Sequence, residues 1–243
     1  MGFLINPARF IATGSAEWTL EQSAFNTVNA YSTGQETLAA VFGSAPTEGN
    51  LIVACYASTD SGYLDHASPS INDLAVAIDQ ALNMGSPDND FLSNGIHYKV
   101  AGASETSTFT MDFGVGNGQD NMSLFLMEWS GNASSGLLEG TPGSASLISG
   151  TKQTTSSSGS TTTSNNNCLL VASHGVSEGP ISFSWNNGFV SRREYGLNVT
   201  GVDIGHGVAT KIADAASHST VLTMSGGGGA AFVGGAIAAF NSA

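Results

Sequence analysis

Residues 96–131 read IHYKVAGASETSTFTMDFGVGNGQDNMSLFLMEWSG, and residues 208–242 read VATKIADAASHSTVLTMSGGGGAAFVGGAIAAFNS. The two segments nearly repeat each other, since Lys99-Val100-Ala101 matches Lys211-Ile212-Ala213 at the start of each. Both segments are rich in β-branched and aromatic residues and broken by glycine, a composition typical of strands joined by tight turns. Two similar segments of this kind predict two copies of one β-rich unit that face each other.

An apolar strand precedes each copy and follows an asparagine. Residues 51–58 read LIVACYAS after Asn50, and residues 168–172 read CLLVA after Asn167. The near-continuous apolar character of the first run is expected of a strand that is covered on both faces. These runs therefore predict central strands of packed sheets.

The remaining strands are indicated by alternation and turn chemistry. In residues 106–113 the apolar Phe109 and Met111 alternate with polar residues. Residues 73–84, DLAVAIDQALNM, fit either a short amphipathic helix or a strand followed by a turn. The low-complexity tract 156–167, SSSGSTTTSNNN, has little to bury but is compatible with an edge strand.

These patterns predict an all-β fold, a jelly-roll-like β-sandwich built from two similar halves. We expect one domain over residues 19–243, with halves at about 19–150 and 151–243, because neither half alone looks able to bury both of its faces. Residues 1–18 are expected to form an N-terminal arm, or alternatively a first strand that packs on the sandwich.

The charge balance argues against several classes of partner. The formal net charge is −13, and there are only six basic residues, of which Arg192 and Arg193 are adjacent. Binding to nucleic acid or to an anionic membrane requires clustered cations, so neither is expected. The N-terminus lacks the basic leader and apolar core of a signal peptide, and no segment has the length of a membrane-spanning helix.

The sequence gives no signal for a metal or cofactor site. Cys55 and Cys168 lie in apolar strands at non-equivalent repeat positions, which favours buried free thiols over a disulfide. The five histidines show no zinc-ligand spacing, and no cofactor is expected. Two oxygen-rich loops, Asp88–Asp90 and Asn117–Asn121, leave Ca²⁺ as an open alternative to turn capping.

No catalytic residue is predicted, although one carboxylate invites attention. Glu128 lies in a strand between Met127 and Trp129. A glycosidase needs two carboxylates facing each other across a cleft, and no recognisable pair is present, so an outward-pointing strand residue is the simpler interpretation. The other acidic candidates are Glu139, Asp112, Asp203 and Glu178.

Aromatic residues beside loops can stack on sugars or fill the core. Trp185, Phe189 and Tyr195 are the candidates for glycan binding, and Tyr63 lies beside another loop. The Asn186-Asn187-Gly188 turn between the first two predicts a hairpin, because Asn-Gly supplies positive φ angles.

Two stretches resemble known families. The strands from Gly49 to Val53 and from Glu128 to Gly131 resemble those of a β-sandwich module frequent in bacterial surface proteins and phage structural genes. The opening Ile5-Asn6-Pro7-Ala8-Arg9-Phe10 is similar to the Asn-Pro-Tyr-Arg-Phe start of many tailed-phage virion proteins, departing from it at Ala8.

The resemblance implies a non-enzymatic structural protein of a bacteriophage particle, as an exterior head decoration, a fibre base or a tail-associated protein. Its partners would be capsid or tail proteins and further copies of itself, and its location the virion. The expected attachment residues lie in the arm: Phe3, Ile5, Pro7, Arg9 and Phe10. The alternative is a carbohydrate-binding module that contacts host surface glycans.

Overall fold

The computed structural model describes residues 17–29, 36–60, 68–83, 91–114, 118–177, 182–197, 204–226 and 230–243. The attachment residues expected at positions 3 to 10 lie outside these ranges. Glu17 and Trp18, which the sequence assigned to the arm, are described. Trp18 packs against the core shared by the two halves, and its Nε1 donates a hydrogen bond to the Asn167 carbonyl at 2.8 Å.

Sixteen strands and no helix make up the described ranges, which confirms the all-β prediction. The first half contains β1 (Thr19–Asn29), β2 (Thr37–Val41), β3 (Leu51–Asp60), β4 (Ser70–Ile71), β5 (Ala75–Asn83), β6 (Phe91–Val100), β7 (Thr108–Asp112) and β8 (Asn121–Ser130). The second half contains β9 (Leu138–Gln153), β10 (Thr155–Thr162), β11 (Cys168–Ser177), β12 (Ser182–Trp185), β13 (Val190–Leu197), β14 (Ile204–Ala213), β15 (Ser217–Ser225) and β16 (Ala230–Phe240).

The two halves have the same topology. In the first, a five-stranded sheet of order β1-β8-β3-β6-β5 faces a three-stranded sheet of order β2-β7-β4. In the second, the orders are β9-β16-β11-β14-β13 and β10-β15-β12, which is the same arrangement shifted by eight strands. The first and last strands of each half lie side by side, as in a jelly roll, and the fifth strand extends the larger sheet.

The sheets stack in four layers, two in each half. Alternate residues of β3 explain why: Ile52, Ala54 and Tyr56 face the three-stranded sheet of the first half, whereas Leu51 and Val53 face the second half. The two five-stranded sheets pack against each other, so their central strands are buried on both faces. This confirms the double burial predicted for residues 51–58, and the contact surface between the two five-stranded sheets is called the seam below.

Two local expectations are settled by the strand assignments. Residues 75–83 form β5, an edge strand paired with β6, so the helical alternative for 73–84 is wrong. Residues 156–162 of the low-complexity tract lie in β10, with Ser156, Ser158 and Thr161 buried.

The repeated lysine of the two copies has a repeated structural role. Lys99 forms ion pairs with Asp73 and Glu105 at 2.8 Å, and Lys211 donates to the Asn187 carbonyl at 2.9 Å. Each lysine therefore ties the end of its strand to the turn that follows β4 or β12. Asn72 and Asn187 hold positive φ angles in these turns, a conformation that asparagine tolerates.

Candidate functional site

The sequence pattern favours an outward-pointing Glu128, and the structure shows that this is wrong, because Glu128 is only 1% exposed. Its carboxylate accepts hydrogen bonds from Gln22 Nε2 at 2.5 Å, Thr47 N at 2.8 Å and Asn50 Nδ2 at 2.6 Å. Thr47 and Asn50 belong to the turn before β3. Three protein donors thus take the place of water around the buried carboxylate, and their hydrogen bonds fix the turn against β8.

Glu139 of β9 fixes the turn before β11, which is the corresponding turn of the second half. It accepts bonds from Ser164 N at 2.8 Å, Ser164 Oγ at 2.6 Å, Asn165 Nδ2 at 3.2 Å and Asn241 Nδ2 at 3.0 Å. These hydrogen bonds, above all those from Ser164, lower the pKa of Glu139 from 4.5 to about 2.

The register shows that the carboxylate has changed strands between the halves. Gln22 of β1 lies opposite Glu128 of β8, whereas Glu139 of β9 lies opposite Ala239 of β16. Since β9 and β16 correspond to β1 and β8, one acidic side chain per half fixes the turn before the central strand. Asp112, a third acidic candidate, is exposed and accepts a bond from Gly114 N, and Asp203 and Glu178 lie outside the described residues.

The aromatic candidates for glycan binding pack into the protein. Phe189 is 7% exposed and belongs to the core of the second half, where Trp185 packs against it. The Trp185 ring also meets His174 edge-on, with centroids 5.2 Å apart. Tyr195 is half-buried, and its ring lies tilted against that of Phe25 across the seam, with the centroids 5.5 Å apart. Their contacts are those of core residues, and glycan binding stays a prediction; Tyr63 lies outside the described ranges.

Arg192 and Arg193, the adjacent basic pair, contact the first half. The Arg193 guanidinium carbon lies 3.7 Å from the centroid of the Phe25 ring, and that of Arg192 lies 5.2 Å from Trp129. Arg192 Nε also donates to Thr210 Oγ1 at 2.7 Å. Both cations therefore stack on aromatic rings along the seam.

The first half encloses a polar cluster that the sequence did not indicate. Asp79 Oδ1 lies 2.8 Å from His97 Nε2 and accepts a hydrogen bond from the Tyr56 hydroxyl at 3.0 Å. Burial, followed by the nearby Asp79 charge, raises the pKa of Tyr56 well above its usual value. The three residues lie on β3, β5 and β6, and no spacing in the sequence brings them together.

Both cysteines are free and buried, as predicted. Burial raises the pKa of the Cys55 thiol strongly, against an opposing hydrogen bond with Ser173 across the seam. Burial also raises the pKa of Cys168 to about 11. Thiols of this kind are poor nucleophiles, because the thiolate is the reactive form.

No group of three or more His, Cys, Asp and Glu side chains placed to hold a metal ion occurs in the ranges that the structure describes. The first calcium candidate, Asp88–Asp90, and Asn117 of the second lie outside those ranges. In the remainder of the second loop, Asp120 N donates to the Thr59 carbonyl and Asn121 Nδ2 to Thr59 Oγ1. The described chain also contains no helix that is long and apolar enough to cross a membrane.

A shallow groove lies at the turn between β14 and β15, with a volume of about 350 Å³. Its polar lining includes Lys211, Asp214 and His218. The lysine is bonded to Asn187, and His218 Nε2 lies 2.9 Å from the Asp214 carbonyl. These groups stabilise the two neighbouring turns.

Comparison of the chain with protein-family models, with curated proteins and with solved structures finds no match.

Proposed function

We propose that the protein is a structural component of a bacteriophage particle that acts by assembly through its N-terminal segment. It would lie on the exterior of the head or tail, without an enzymatic role, and bind capsid or tail proteins and further copies of itself. The fold supports this proposal by analogy, because jelly rolls are common in viral capsid proteins. The resemblance of residues 5–10 to the start of tailed-phage virion proteins supports it from the sequence.

The observation that carries the proposal is the protection of the sheet edges. A β-bulge or register shift occurs in the pairing of every edge strand of the two five-stranded sheets: β1, β5, β9 and β13. The central pairings, such as β3 with β6 and β11 with β14, are regular. Bulges at edges hinder the addition of strands from other molecules. Assembly by pairing at the edges of the two five-stranded sheets is therefore disfavoured, which supports the segment before Trp18 as the contact with other chains.

The side chains that looked chemically active support a structural role as well. Glu128 Oε1 accepts hydrogen bonds from the turn before β3, and Oε2 accepts one from Gln22 of β1. Both oxygens of Glu139 accept hydrogen bonds from the turn at Ser164 and Asn165. Trp185 and Phe189 pack in the core of the second half. These residues serve the stability of the sandwich, which an exterior particle protein needs.

The test is the mass of the protein in solution, measured by light scattering, for the full chain and for a chain that begins at Glu17. Starting at Glu17 retains Trp18 and its bond to Asn167, so the sandwich keeps its native contacts. We expect the full chain to form oligomers and the shortened chain to be a folded monomer.

A point variant sharpens the test. Replacement of both Phe3 and Phe10 by serine should reproduce the monomer, whereas Val41→Ser, which changes a 57% exposed valine of the sandwich, should not. Identical monomers for all chains would contradict the proposal. In that case a glycan array would test the carbohydrate-binding alternative.

A further inference from the structure

At two corresponding positions, the second half carries histidines and the first half carries residues that do not bind a proton near neutral pH. Tyr56 of β3 lies opposite Gly95, and His174 of β11 lies opposite Gly207. The residue before each glycine is Asn94 in the first half and His206 in the second. A tyrosine and an asparagine therefore stand where the second half has two histidines.

His206 lies in the seam and is 0% exposed. Its Nδ1 is 2.7 Å from Ser123 Oγ of the first half, and its Nε2 is 3.2 Å from Ser173 Oγ. The elements around it present Tyr195 and Arg193 from β13 and Cys55 from β3, and His174 lies close by on the other face of β11. Among the described residues, no carboxylate forms a hydrogen bond or ion pair with this ring.

His174 is also 0% exposed, on the opposite face of β11. Its Nδ1 is 2.9 Å from Ser156 Oγ of β10, and Trp185 of β12 covers the ring edge-on. Gly235 of β16 packs against the ring so closely that a Cβ there would lie 2.6 Å from it. Among the residues that the structure describes, His206 is the titratable group that acts on this ring.

We propose that protonation of His174 and His206 destabilises the second half, because the fold accommodates both buried rings only while they are neutral. A proton on either ring creates a buried cation among hydroxyl groups and aromatic rings, with no carboxylate in contact among the described residues. In the first half, by contrast, the Asp79 carboxylate lies 2.8 Å from Nε2 of the buried His97. The two histidines of the second half therefore make the folded state sensitive to acid.

The direction of the effect follows from the environment of the two rings. Burial, with His206 as a second cause, lowers the pKa of His174 from 6.5 to about 3, and burial with the Arg193 charge lowers that of His206 equally. Unfolding frees both rings to bind protons between about pH 6.5 and pH 3. The stability that the neutral rings permit is complete above pH 6.5 and is lost as the pH falls toward 3.

The experiment measures the unfolding equilibrium constant in urea at several pH values between 5.0 and 6.2. Across this range, each ring that binds a proton on unfolding raises this constant about sevenfold for each unit by which the pH falls. We expect His206→Asn, which copies Asn94 of the first half, to lose one such factor, and His174→Gln to lose another. His218→Asn changes a half-buried histidine away from His174 and His206, and it should retain the pH dependence of the unmodified protein.

The readout is the slope against pH, so a variant that is less stable still gives a valid answer. The double variant His174→Gln/His206→Asn should lose about a fiftyfold dependence per pH unit relative to the unmodified chain. Slopes that are the same in the unmodified chain and the double variant would overturn the proposal. An equal loss of slope in His218→Asn would overturn it as well.

Discussion

Replacement of Glu139 by glutamine tests whether the second-half carboxylate stabilises the fold as its contacts indicate. The side chain is 8% exposed, and its two oxygens accept four hydrogen bonds from Ser164, Asn165 and Asn241. A fall in pKa from 4.5 to about 2 corresponds to about 3 kcal/mol between the charged and neutral forms. Because the site lies near the protein surface, we expect Glu139→Gln to lower the free energy of unfolding by about 2 kcal/mol at pH 7.

The pH dependence separates the charge from the shape of the side chain. The folded pKa is depressed, so the stabilisation is present above pH 4.5 and is lost as the pH falls through 2. The difference between Glu139→Gln and the unmodified protein should therefore shrink by more than half between pH 7 and pH 3, as measured by urea unfolding. Glu48→Gln, a change at an exposed carboxylate, is the matched control and should have little effect at either pH. A Glu139→Gln protein as stable as the unmodified one at pH 7 would refute the reasoning.

Three further changes test the packing of the sheets. Gly95→Ala places a Cβ 2.2 Å from Asp79 Oδ1 and 2.7 Å from the Ile78 carbonyl, so we expect a loss of about 2–3 kcal/mol in chemical unfolding. Gly102→Ala, where the nearest atom to the added Cβ is Glu105 Oε2 at 4.0 Å, should be nearly neutral. Arg193→Met removes the cation 3.7 Å from Phe25 and should cost about 1 kcal/mol; a neutral result would show that the stacking across the seam is not stabilising. Ser173→Cys places a second thiol beside Cys55, so oxidation should form a disulfide that joins the two halves within one chain. After oxidation, a thiol reagent applied to the unfolded chain should detect one thiol, that of Cys168, instead of three. A disulfide between two chains would contradict the packing at the seam.

Much of the strand content could be predicted from the sequence because its signals are local. The continuous apolar run at 51–58 and the alternation around Phe109 each report the faces of a single strand. The four-layer stack could not be predicted in this way, since it depends on which faces of β3 and β11 meet which sheets. The helical alternative at 73–84 fails because β5 completes the edge of a sheet, and pairing with β6 overrides a pattern compatible with both structures.

The roles of individual side chains were harder to predict because their partners are distant in sequence. Glu128 meets Thr47 and Asn50 from some eighty positions away. Glu139 does the equivalent work from a different strand, so even the internal repeat gives no signal. Arg193 and Phe25 meet only because the two halves fold back on each other.

The most direct test of the account is single-particle electron microscopy of the full-length protein at the concentration where light scattering detects assembly. The account predicts a closed oligomer in which residues 1–16 of one copy contact a neighbouring copy. The two halves of each copy would project outward from this contact. A monomer whose N-terminal segment packs along its own sandwich would contradict the proposed assembly role.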